Sequence, residues 1–87
     1  MTPETPLIII DNREQTPLTF QHFPSRRGTL QSGDYSLDRF ENRFTVERKS
    51  IGDLIGSLTA GRDRFERECH RLRGYDFARL LIVGHPD

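Results

Sequence analysis

The sequence predicts an α/β domain with a mixed central sheet flanked by helices, and three observations carry that reading. Two continuous apolar runs, Leu7-Ile8-Ile9-Ile10 and Leu80-Leu81-Ile82-Val83, lie near opposite ends of the chain and read as buried strands. Between them, a segment rich in Phe, Thr and Val follows a shorter strand pattern across a polar connection, as in a hairpin. Beyond Ser50 the apolar period lengthens from that of a strand to that of a helix. The order is therefore strand, hairpin strands, helices, strand.

Taken in order, residues 1–6 (Met-Thr-Pro-Glu-Thr-Pro) read as a disordered lead-in, and residues 7–87 as one domain. Leu7 to Asp11 is a buried strand with a carboxylate at its C-terminal tip. Residues 12–28 carry turn chemistry in Pro17, Pro24 and Gly28, interrupted by Leu18, Phe20 and Phe23. Thr29-Leu30 begins a short second strand, and Ser32-Gly33 turns into a strand at Asp34-Tyr35-Ser36-Leu37. Asp38 to Arg43 connects it to its partner, Phe44 to Lys49. Ser50 caps a helix expected to bury Ile51, Leu54, Ile55 and Leu58, and Gly61 ends it. A second helix, Arg62 to Leu72, sets Phe65, Cys69 and Leu72 on one stripe and most of its arginines outside, with Gly74 as its stop. Residues 79–83 form a last buried strand before Gly84-His85-Pro86.

An 87-residue chain holds one modest core, and a domain of that size is marginal alone, which leaves room for a further segment or a partner subunit. Hydrophobic residues make up 33% and charged residues 30%, which suits a folded domain with a large polar surface. There is no long apolar span and no basic-then-apolar leader, so the expectation is neither membrane-spanning nor secreted. Cys69 is the single cysteine, which excludes an internal disulfide and a cysteine-based zinc site and fits a reducing compartment. That means cytoplasm in a bacterial or phage setting, nucleus in a eukaryote. Net charge is zero, so no global basic field announces a nucleic-acid binder. Twelve of the 13 basic residues are arginine, and the lone lysine is Lys49. A GC-rich genome would produce the same bias, yet it does not say why one lysine stands where it does.

On a strand, Glu47 and Lys49 point to one face while Val46 and Arg48 point to the other. Asp34 lies 13 positions before Glu47 on the hairpin partner, so pairing brings two hard oxygen donors together. Mg²⁺ commonly takes one or two carboxylates, waters and a substrate phosphate, which sets the expected separation of the two carboxylates at roughly 3–6 Å. A neighbouring lysine would orient a water and offset charge on phosphorus. The bland reading of Glu47 and Lys49 is a solvated surface pair. Asp11 and Glu14 follow a buried strand, where α/β folds gather ligands, although Asp11-Asn12-Arg13 also suits a plain turn. Asp53 is either an ordinary first-turn acid favoured by the helix dipole or a group reaching back toward Lys49. His22, His70 and His85 read as loop or surface residues rather than ligands.

Asp11-x-Arg13-Glu14, Gly33-Asp34-Tyr35 and Glu47-Arg48-Lys49-x-x-x-Asp53, in that order, resemble the XPF-type structure-specific nuclease domain. That family carries a GDx…ERKxxxD signature within the wider PD-(D/E)xK restriction-endonuclease-like fold. The likeness runs from about Leu7 to Val83 and includes Ser57-Leu58 and the Arg62–Phe65 region. It implies Mg²⁺- or Mn²⁺-dependent hydrolysis of phosphodiesters in branched or single-strand/double-strand junction DNA, with repair and recombination as the setting. It implies that Asp34 and Glu47, with Asp11, hold the metal and that Lys49 serves the attacking water. Glu14, Arg48 and Asp53 would support metal, substrate or site geometry, and Arg13, Arg48, Arg62 and Arg64 would contact DNA. Arg48 faces away in the strand reading, so an ion pair is as good a role for it as phosphate contact. Relatives usually continue further and often carry a helix-hairpin-helix domain, so the chain is expected to be incomplete at its C-terminal end. Pairing as a homodimer or heterodimer is also implied. Two alternatives stand beside the enzyme: a non-catalytic DNA-binding or dimerisation module of the same family, and an unrelated small interaction domain. Every signature position is filled, which favours the enzyme.

Overall fold

Ile8–Asp11 forms strand β1 because three consecutive isoleucines can be covered on both faces of a sheet; Ile9 and Ile10 are buried, and so is Asp11. The computed structural model describes residues 5–84. Further along come β2 (Ser25–Gly28), β3 (Tyr35–Leu37) and β4 (Phe44–Ser50). The helices α1 (Ile51–Leu58) and α2 (Arg62–Leu72) follow, and β5 (Phe77–Val83) ends the fold. The five strands form one mixed sheet in the order β2-β1-β3-β4-β5. β1 runs parallel to β2 and antiparallel to β3; β4 runs antiparallel to β3 and parallel to β5. The α/β class and mixed sheet are those the sequence predicts.

Register divides the sheet into two faces. Ile10 pairs with Tyr35, and Tyr35 with Val46, so these three lie on one face together with Arg48. Phe20 from the loop before β2 packs edge-on against Tyr35 at 5.8 Å and helps close this side. The other face carries Ile9, Ser36 and Thr45, at 1%, 1% and 0% exposure, followed along β4 by Glu47 and Lys49. The segment between β2 and β3 packs over this second face: Leu30 is buried, and Thr45 Oγ1 donates to the Ser32 carbonyl at 2.9 Å.

The structure corrects three sequence expectations. The second strand is Ser25–Gly28, not Thr29-Leu30. Its residues are polar and exposed because it is an edge strand held by its backbone pairing to β1, so no apolar pattern marks it. The last strand starts earlier, at Phe77, and is not buried: Leu80, Leu81 and Ile82 are 37%, 40% and 39% exposed on the opposite edge. Likewise α1 does not bury its apolar stripe, because Ile51, Ile55 and Leu58 are 50%, 58% and 54% exposed. Apolar period reveals that a helix has an apolar side, but not whether this chain supplies something to cover it. The Ser50 cap is as expected, with its Oγ accepting from Asp53 N–H at 3.1 Å. The α2 stripe of Phe65, Cys69 and Leu72 is half-buried. Most of the lead-in, and His85-Pro86, lie outside the described residues.

Candidate active site

Asp34 stands immediately before β3 and is locked at backbone level between its neighbours. Its N–H donates to the Val46 carbonyl at 2.9 Å, and its carbonyl accepts from Asp11 N–H at 2.8 Å. The residue before it must be glycine. Gly33 has φ 83°, and a Cβ there would lie 1.9 Å from Thr45 Oγ1. This turn aims the Asp34 side chain at β4, where Oδ2 accepts from Arg48 N–H at 2.7 Å.

Glu47 and Lys49 emerge from β4 on the same face as Asp34. A cavity of about 270 Å³ opens there, lined by Asp34 and Glu47 and, from α2, by Glu68 and Arg71, with Arg13 at its side. Burial and the adjacent Asp34 carboxylate, followed by Glu68, push the Glu47 carboxyl up to about 7. Burial also raises Asp34, and the carboxylates of Glu14 and Asp11 add to it, while the Arg48 N–H bond works the other way. Two half-buried acids on one face, both raised and Glu47 raised in part by Asp34, form a site that a cation or a proton would relieve. Among the described residues, no group of three or more His, Cys, Asp or Glu side chains is placed to hold a metal ion. Lys49 Nζ sits 5.5 Å from the centre of the Phe65 ring.

The remaining expected residues occupy other positions. Asp11 is 1% exposed with both oxygens engaged: Oδ1 accepts from Leu30 N–H at 2.9 Å, and Oδ2 from Arg13 N–H at 3.1 Å and Arg13 Nε–H at 2.6 Å. Burial raises its pKa, but these bonds and the Arg13 charge outweigh that and hold it below the ordinary aspartate value. Arg13 also donates to the Leu30 carbonyl at 3.2 Å. Glu14 belongs to a cluster on the opposite face, where Tyr35 Oη–H donates to its Oε2 at 2.9 Å. Arg48 joins that cluster, donating to the Thr16 carbonyl at 2.6 Å and lying 3.5 Å from Glu14 Oε2, so it faces away from Glu47 as strand alternation requires. Asp53 is exposed in the first turn of α1, and its side chain makes no hydrogen bond or ion pair among the described residues. Arg62 pairs with Glu66 at 3.1 Å on the surface, and Arg64 is exposed.

Sequence reasoning missed two contributors. Glu68 reaches the cavity from α2, and its Oε1 is buried without a hydrogen-bond partner among the described residues. Its signal was helical spacing, since an acid three residues after Phe65 falls on the inward stripe. Tyr35, which ties Glu14 to β3, could have been inferred only from pairing register.

This geometry can be set beside known proteins. The ERCC4 domain model matches residues 10–86. The chain belongs to the ERCC4 domain family. Every expected site residue lies inside that match. Curated relatives include the DNA repair endonuclease XPF of Drosophila melanogaster, 35% identical over 91 residues and covering 94% of this chain. The DNA repair endonuclease XPF of Cricetulus griseus is 37% identical over 87 residues, covering 90% of the chain. The chain spans 8% of the length of each of these relatives. No solved structure matches. No helix among the described residues of this ERCC4-family chain is long and apolar enough to cross a membrane.

Proposed function

We propose that this chain forms the catalytic portion of a metal-dependent endonuclease that hydrolyses phosphodiester bonds in branched or junction-containing DNA. The observation that supports this most is the convergence of Asp34, Glu47 and Lys49 on one sheet face beside a polar cavity. The donor set suits Mg²⁺ or Mn²⁺, because Asp34 and Glu47 offer two hard carboxylate donors on the lining of the cavity. Asp34 and Glu47 would hold the ion, which when bound supplies Lewis-acid polarisation of the phosphate and a more acidic water. Lys49 orients the attacking water and offsets negative charge gathering on phosphorus. Asp11, with both oxygens committed to Leu30 and Arg13, serves by fixing the loop beside the metal pair. Arg48 and Glu14 brace the back of β4. DNA phosphates would be met by the exposed α2 arginines, Arg62 and Arg64 among them, and by the exposed Arg13 guanidinium. The uncovered side chains of α1 and β5 support assembly with a second subunit, as a homodimer or heterodimer.

The test uses labelled fork, flap and linear duplex DNA with and without Mg²⁺. Asp34→Ala, Glu47→Ala and Lys49→Ala should each reduce cleavage about 100-fold or more, leaving circular dichroism and DNA affinity nearly unchanged. Arg43→Ala serves as control, because the exposed Arg43 side chain pairs with the exposed Asp76 side chain, at 2.6 Å, away from the site. Cleavage by the Glu47 and Lys49 variants at the parent rate would overturn the catalytic reading.

A further inference from the structure

Lys49 is the single lysine of the chain, and among the described residues its ammonium makes no hydrogen bond and no ion pair. Its ammonium lies over the Phe65 ring, whose centre is 5.5 Å from Nζ, and its charge also acts on the Glu47 carboxylate of the same face. A cation at that distance from an aromatic face is drawn to the negative side of the ring quadrupole. Phe65 reaches this position through the tight link between the helices. Gly61 N–H donates to the Gly56 carbonyl at 2.9 Å, and Phe65 N–H to the Gly61 carbonyl at 3.0 Å. A Cβ on Gly61 would meet the Gly56 carbonyl oxygen at 3.3 Å, a contact tight enough that the link would have to give by a few tenths of an ångström. Three residues beyond Phe65, Glu68 enters the cavity beside Glu47. The inner stripe of α2 thus faces the two neighbouring same-side residues of β4, Phe65 against Lys49 and Glu68 toward Glu47.

We propose that Phe65 is the positioning residue for Lys49: its ring holds the ammonium over the sheet face, ready for the phosphate, without engaging it in an ion pair. An ion-paired lysine would have to break a charged contact before meeting substrate. A lysine resting on a ring keeps all three N–H donors available while its four-carbon stem is confined. The role rests on the catalytic reading of Lys49, but the contact can be measured separately from it.

With lysine labelled at ¹³Cε and ¹⁵Nζ, the chain gives one side-chain spin system, which reports Lys49 alone. In the parent the ε-methylene protons should be shifted upfield by the ring current, and Phe65→Leu should return them to the free-lysine position with unchanged far-ultraviolet circular dichroism. Phe65→Tyr should keep the shift. In Mg²⁺-dependent cleavage of fork DNA, Phe65→Leu should lower kcat about fivefold with KM unchanged, and Phe65→Tyr should restore it. A residue that only fills space would be replaced as well by Leu as by Tyr. An unshifted lysine signal in the parent, or a Phe65→Leu protein that cleaves at the parent kcat, overturns the proposal. A parent that shows the shift but cuts no DNA preserves the contact and overturns the catalytic reading on which the role rests.

Discussion

At Gly33 two constraints coincide, a positive φ of 83° and a space already filled by Thr45 Oγ1. Gly33→Ala should therefore cost about 2 kcal/mol or more in a denaturant melt. It should also lower cleavage steeply, since Asp34 can move only with its turn; an alanine variant as stable as the parent would show that the turn relaxes freely. Glu47 yields a second prediction, in pH. Its folded-state pKa of about 7 lies above the 4.5 of an unperturbed glutamate, so between those values the folded chain binds more protons than the unfolded one. Metal-free stability should therefore fall as pH rises from about 5 to 8, by about 2 kcal/mol once solvent access to a half-buried group is allowed for. Glu47→Gln should flatten that slope, and Mg²⁺ should oppose it by favouring the ionised form. Asp11 acts in the opposite sense: its lowered pKa contributes stability above the ordinary aspartate value that is lost as pH falls through its folded pKa. Melts of the parent and the Glu47→Gln variant, carried from pH 8 to below the ordinary aspartate value of 3.8, separate the two.

The elements differ in how plainly the sequence announced them. Phe44–Ser50, the Ser50 cap and the Arg62–Leu72 helix were legible because each carries its signal locally: β-branched and aromatic residues, a capping serine, a break at Gly61. The face of Asp34, Glu47 and Lys49 was legible for the same reason, since strand alternation and hairpin pairing are short-range rules. Ser25–Gly28 was not, because an edge strand fixed by parallel pairing to Ile8–Asp11 needs no apolar side chains of its own. Nor was the commitment of Asp11 to Leu30 and Arg13, which depends on where the 29–33 segment crosses the sheet. That commitment makes Asp11 a support for two elements at once, so Asp11→Ala should destabilise the fold by about 3 kcal/mol, leaving Leu30 N–H buried without its acceptor. A melt would detect this loss without any substrate, and a variant that lost activity at full stability would instead mark Asp11 as a group acting directly in the chemistry.

On the scale of the whole molecule, the sheet is lined on its β4–β5 side by apolar residues that the described residues leave exposed. Ile55 is 58% exposed, so Ile55→Glu should change monomer stability by no more than about 0.5 kcal/mol. If the α1 face mediates association, the same change should shift sedimentation of concentrated protein toward the monomer. A large loss of stability would mean that Ile55 is covered in solution. The two carboxylates of the proposed metal site, by contrast, come from β4 and from the residue just before β3, two adjoining antiparallel strands joined by the short 38–43 connection. Closing so short a loop costs little chain entropy, whereas the parallel pairing of β1 with β2 must first close the longer 12–24 segment. The spacing of Asp34 and Glu47 is thus insulated from the length of that segment. Residues inserted among 15–23 would slow the folding of the β2 edge while leaving the two acids at their original separation.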